Sequence, residues 1–193
     1  MNILVAGNCD KYDFVLTLAI MLGAYKEESV MIVTDNDRHY RYFQGEASGV
    51  KIVNHIPPFP FAITIYDWHN RYPVDVEFAK CLLATNFERS SLAHIDELLK
   101  TITPDALLVM EAECGVNLNY IEKNVPSEAP VYSYYDDPRR RIDWVHDGRV
   151  ELKDLDKEFS ETVGNVLTDI CELPIKDIKK LWSYARKRGV LTC

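Results

Sequence analysis

The residues whose types could do chemistry concentrate in one short stretch near the N-terminus, Gly7-Asn8-Cys9-Asp10-Lys11-Tyr12-Asp13. A glycine and a lysine between an apolar run and a helical run are the residue types that wrap phosphate. Backbone N–H groups cradle the oxygens, the lysine neutralises charge, and a Ser or Thr hydroxyl holds Mg²⁺. This stretch keeps Gly7 and Lys11 but sets Asp10 beside the lysine and Tyr12 directly after it. Like charges about 4 Å apart repel by about 4 kcal/mol at an effective dielectric of about 20, so Asp10 opposes a polyphosphate. Polar residues recur where other apolar runs end: Asp35 and Asp37, Asp67, Asn86, Glu111, and Asp136 to Arg139. Brought to one edge, the carboxylates suit Mg²⁺; taken singly they are ordinary turn residues.

Other chemistries find less support. There is no Gly-x-Ser-x-Gly elbow for a serine nucleophile. The cysteines Cys9, Cys81, Cys114, Cys171 and Cys193 form no CxxC pair, which argues for reduced thiols rather than a disulfide framework or a zinc site. Cys9, near Lys11, is the one thiol with an arguably activating neighbour, and an inert thiol is the reading preferred. A formal net charge of −8 argues against nucleic acid as a partner. No signal peptide and no run of about 20 apolar residues is visible, so the expected location is the cytoplasm.

The elements that must position these residues alternate along the 193 residues. Asn2–Ala6, Val30–Thr34, Phe61–Tyr66, Cys81–Thr85, Ala106–Met110 and Val131–Tyr135 read as strands, with a further short strand at Lys51–His55. Phe14–Tyr25 carries Val15, Leu18, Ala19 and Leu22 at helical spacing. A helix is expected from about Ser91 to Thr101, capped by Ser90 or Ser91, and two more over Leu155–Cys171 and Ile175–Arg188. Continuous apolar strands alternating with helices predict an α/β fold: a mainly parallel sheet with helices on both faces. Ligands of such sheets sit at the carboxyl ends of the strands, where the polar residues above fall.

The order of segments over roughly residues 1–150 resembles the ParA/MinD family of P-loop ATPases. NILVAGNCDKYDFVLTLAIML is similar to its strand, phosphate loop and helix; MIVTDND to its second strand with paired acids; AITIYDW to the strand ending in its Walker-B-type aspartate. CLLATNFERSSLAHIDELLK and YSYYDDPRRRIDWVHDGRV resemble its later strand–turn–helix segments. The resemblance implies a P-loop NTPase-like core over 1–150, with the helices of 151–193 packed on it or partly serving as an interaction appendage. It sets Gly7 and Lys11 on a glycine and the lysine of the phosphate loop, Asp35 and Asp37 on the acids that orient water, Asp67 on the aspartate that helps hold Mg²⁺, and Pro138 by the adenine. It also implies pairing as a homodimer. Where the family has a second signature lysine this chain has Ala6; Asp10 and Tyr12 depart as well. The implied protein is a degenerate member that binds or positions a protein assembly without hydrolysing ATP. No cofactor is expected, beyond ATP or ADP with Mg²⁺ at low affinity. The alternative is an ATPase working through Lys11, Asp35, Asp37 and Asp67 with carboxylate-held Mg²⁺. A flavodoxin-like or response-regulator-like domain remains a third reading.

In the C-terminal helix, Ile175, Ile178, Leu181, Trp182 and Ala185 form one stripe. Around it lie Lys176, Lys179, Lys180, Arg186, Lys187 and Arg188. Lys179, Lys180, Trp182 and Arg186–Arg188 are therefore candidates for a protein partner or a peripheral membrane contact. The plainer reading is a last helix packed on the core, its basic end complementing the helix dipole.

Overall fold

Strands that read as unbroken apolar runs do so because both of their faces are covered. The computed structural model describes residues 1–58, 61–70 and 75–188, the side chains of 186–188 excepted. The strands are β1 (Asn2–Ala6), β2 (Val30–Thr34), β3 (Glu46–Ala47), β4 (Val50–Val53), β5 (Ile63–Trp68), β6 (Lys80–Asn86), β7 (Ala106–Glu111) and β8 (Val131–Tyr135). They form one sheet in the order β3-β4-β2-β5-β1-β6-β7-β8. Every pairing is parallel except β3 with β4. Side chains alternate between two cores: Ile3 and Val5 of β1 join one, Leu4 and Ala6 the other. The expected α/β class, with helices on both faces of a mostly parallel sheet, is present.

One face carries α1 (Tyr12–Lys26), α4 (Pro138–Asp147), α5 (Lys157–Asn165) and α6 (Ile175–Arg188); the other carries α2 (Arg89–Leu98) and α3 (Leu118–Asn124). The sequence suggested a one-sided apolar stripe for α1, yet every residue from Tyr12 to Gly23 is buried. The sheet covers one side of α1, and α5 and α6 pack on others. A helix apolar all round needs such a coat. Phe159, Val163, Ile178, Trp182 and Ala185 of α5 and α6 accordingly share one core with α1.

β5 differs from its expected span, starting two residues later and ending two later, so that Asp67 lies inside the strand. It is in register with Val5 on one side and Thr34 on the other. In both the dinucleotide-binding and the flavodoxin-like strand orders the first two parallel strands are neighbours. Here β5 stands between β1 and β2 and brings Asp67 beside the loop that follows β1.

The second correction concerns α2. Ser90 and Ser91 lie within the helix, and Glu88 flanks its start. The Ser91 hydroxyl instead donates to the Asn8 carbonyl at 2.5 Å, tying α2 to the β1 loop. At the open edge of the sheet, Pro130 O and Asp136 N bond to β7, while the β8 carbonyls of Ser133 and Tyr135 accept from Thr162 and Arg140. Those helix side chains occupy acceptors that would otherwise template another strand.

Gly7 has φ +152°, and a Cβ there would fall 1.7 Å from the Ala84 carbonyl oxygen of β6. Gly7→Ala must part β1 from β6 as well as strain the backbone. We expect a loss of about 3 kcal/mol or more, read from the midpoint of a urea unfolding curve.

Candidate functional site

The sheet reverses its winding between β1 and β6: α1 leaves β1 on one face, and α2 leaves β6 on the other. Ligands of open α/β sheets bind at such a switch point, outside the carboxyl ends of the strands. A cleft of about 590 Å³ lies there. The loops after β1, β2, β5, β6, β7 and β8 line it, with Asp10, Arg38, Glu88, Glu111, Asp136 and Arg141 as its charged groups.

Lys11 lines no part of it. The side chain is 0% exposed and turns under the loop, where Nζ donates to the Gly7 carbonyl (2.8 Å) and the Trp68 carbonyl (3.2 Å) and pairs with Asp67 Oδ1 (2.8 Å). Two of its donors meet carbonyl oxygens, and its charge meets the carboxylate. The other Asp67 oxygen accepts from the Tyr40 hydroxyl at 2.8 Å. Tyr40 comes from a 3₁₀ turn (Tyr40–Phe43) after β2. Burial, reinforced by the Asp67 charge, pushes its phenol well above the usual range, so it stays a donor.

Tyr12 is buried too. Its hydroxyl donates to the Arg141 carbonyl, and its ring stacks on His39 with centroids 4.4 Å apart. Burial likewise raises this phenol. His39 reaches on to Asp10, Nε2 to Oδ1 3.2 Å, and Arg141 Nη1 stands 4.0 Å from the other Asp10 oxygen. The hydrogen bond from His39 outweighs partial burial and holds the Asp10 carboxyl below its ordinary range. Asp10 is thus the anion the sequence suggested, held in place by His39 and by Arg141 of α4.

Asp13 does not face the loop. It is buried against α4, where it accepts from Arg140 Nε (3.1 Å) and Tyr134 (3.2 Å). Arg140 also pairs with Asp156, donates to the Tyr135 carbonyl at 2.6 Å, and lies 4.0 Å over the Phe159 ring. The three consecutive arginines therefore separate. Arg139 closes on Asp137 at the exposed start of α4, Arg140 is an interior clamp, and Arg141 pairs with Asp136 at 3.3 Å beside the cleft. Pro138 is the first residue of α4 and exposed.

The paired acids after β2 do not converge on Lys11. Asp35 accepts from the backbone N–H groups of His69 (2.7 Å) and Asn70 (2.9 Å), pinning the turn after β5. Asp37 is exposed, and its carbonyl accepts from Arg41 N–H at the 3₁₀ turn. The Cys9 thiol is pushed up to about 12 by burial, against the pull of Lys11, and is no nucleophile at neutral pH. Among the described residues no group of three or more His, Cys, Asp or Glu side chains could hold a metal ion. With Lys11 sealed, the cleft offers a polyphosphate two guanidinium groups against four carboxylates.

Tyr40, His39, Ser91 and the Asp13–Arg140 pair were not singled out for these positions. Tyr40 and His39 sit in a stretch without periodicity, so nothing local marks them. Trp182, a candidate for a lipid or partner surface, faces inward and is 7% exposed. Lys179 and Lys180 are exposed. Arg186, Lys187 and Arg188 lie outside the described side chains.

Burial raises the Asp35 carboxyl, but the His69 imidazole at 3.5 Å and hydrogen bonds from the two backbone N–H groups prevail and bring it from 3.8 to about 2. A depressed carboxyl contributes stability above its unfolded value and loses it as pH falls through the folded one. Asp35→Asn should cost about 1–3 kcal/mol at pH 7. Its deficit against wild type in thermal melts should shrink as pH drops from about 4 towards 2. No protein-family model matches the chain, and no curated protein matches it.

Proposed function

We propose that the chain is a degenerate ParA/MinD-like protein that binds or positions a protein assembly and does not hydrolyse ATP. The observation that carries this reading is the engagement of Lys11: its buried ammonium donates to the Gly7 and Trp68 carbonyls and pairs with Asp67. The lysine that would bind phosphate instead holds the loop closed. Placement of Asp67 beside the β1 loop, through the insertion of β5 between β1 and β2, supports the ancestry. The phenol of Tyr12 and the carboxylate of Asp10 support the loss of function. Pairing of two copies across the cleft face belongs to the same reading, and the resemblance alone carries it. The alternative, hydrolysis on a carboxylate-held Mg²⁺, requires Lys11, Asp35 and Asp67 to leave the partners described above.

Calorimetric titration with ATP and ADP, each with and without Mg²⁺, tests the proposal. No heat of binding is expected at millimolar nucleotide. Micromolar, Mg²⁺-dependent binding that disappears in a folded Lys11→Ala variant would overturn it. In the proposed reading, Lys11→Ala acts on stability: it strands a buried carboxylate and should cost about 3–5 kcal/mol in urea unfolding.

A further inference from the structure

The outer face of α6 carries charge that the helix itself does not need. Lys176, Lys179 and Lys180 are all exposed, and their spacing sets them on one side of the helix. Ile178, Trp182 and Ala185, on the opposite side, are buried in the core. Like charges three or four residues apart on a helix destabilise it. Lys176 also lies in the first turn, where the positive end of the helix dipole disfavours a cation. None of the three lies in the last turn, where the dipole would favour one.

The repulsion is not relieved from within the chain. Among the described residues Lys11, Lys80, Lys100 and Lys157 each stand in an ion pair, and Lys176, Lys179 and Lys180 stand in none. Asp177, the acid of the first turn, pairs with none of them. Glu161 of α5, which lines the same hollow as Lys179, is paired with Lys157 at 3.4 Å. A chain of net charge −8 has acids to spare, yet none is placed to meet this face. A local arrangement that works against its own helix, with no compensation in the fold, is the mark of a functional surface.

We propose that the Lys176, Lys179 and Lys180 face of α6 docks an acidic segment of a protein partner, whose carboxylates supply the charge the face lacks. The inference rests on the reading of the chain as a module that binds a protein assembly. Nucleotide titration tests that reading, whereas the measurements below test the face alone, so the two fail separately. A lipid surface is a poorer fit. The apolar stripe of α6 is turned into the core, and among the described residues Ile175 and Tyr184 are the large apolar side chains that α6 exposes to a bilayer. A nucleic acid would meet three cations set in the field of an acidic chain.

The probe is a fluorescein-labelled peptide with glutamates at every third and fourth position, titrated with the full chain. Its anisotropy should rise to saturation, and the affinity should fall as salt is added. Lys176→Glu, Lys179→Glu and Lys180→Glu made together should weaken binding about tenfold or more. Lys26→Glu, Lys123→Glu and Lys153→Glu made together change the net charge equally at exposed positions elsewhere, and should leave most of the affinity in place. Circular dichroism checks that both variants are folded. Lys176→Glu alone supplies a second readout. It places a glutamate in the first turn and four residues before Lys180, both favourable to the helix, so the thermal midpoint should rise while peptide affinity falls. No saturable binding, equal loss in the two triple variants, or a midpoint below wild type in Lys176→Glu would overturn the proposal. So would tighter binding of phosphatidylglycerol vesicles, or of a single-stranded oligonucleotide, than of the peptide.

Discussion

A buried ion pair between Lys11 and Asp67 organises the carboxyl edge of the sheet. Two charges removed from water need each other and hydrogen bonds from the interior, and this pair recruits its surroundings. The ammonium takes the carbonyls of Gly7 and Trp68, which joins the ends of β1 and β5. The carboxylate takes the Tyr40 hydroxyl, which draws the 3₁₀ turn after β2 over the pair. Neither charge can be lost singly without stranding the other. Since Gly7 also lies against Ala84 of β6, the loop is gripped from both sides.

The same constraint shapes the cleft. A side chain that would have made it cationic is spent below its floor, and the groups left above are Asp10, Glu88, Glu111 and Asp136 against Arg38 and Arg141. Arg141 is itself held by Asp136 and lies near Asp10. Arg140, one residue earlier on α4, points the opposite way and ties α1, β8 and α5 together through Asp13, Tyr135 and Asp156. One turn of helix thus serves two purposes. Its inward guanidinium fastens the helical coat over α1, and its outward neighbour balances charge at the cleft. Position of the chain's ionisable groups, rather than their number, decides what this edge can bind.

Much of the architecture was legible in residue order. β1, β2, β6, β7 and β8 are close to the apolar runs that announce them, because strands covered on both faces have no reason to alternate. The stripe Ile178, Trp182 and Ala185 is the face on which α6 packs. Where reading failed, a distant partner was responsible. Asp67 looked like a strand end, since an isolated carboxylate does not belong inside a sheet; Lys11 and Tyr40 make it possible there. Ser91 looked like a helix cap by composition, yet its hydroxyl serves Asn8. Asp13 looked like a second anion of the loop until Arg140, 127 residues away, turned it inward.

By itself the sequence determined the class of fold, the alternation of its elements and the setting of Asp10 and Tyr12 on either side of Lys11. Those follow from hydrophobic pattern and side-chain chemistry, which are local. Tertiary structure alone decided that β5 lies between β1 and β2, that Lys11 faces inward, and that Gly164 stands against Trp182. Each of these depends on which residues meet across the chain. A buried charge or an orphan N–H takes its meaning from what stands within about 3 Å of it, a distance that spacing along the chain does not report.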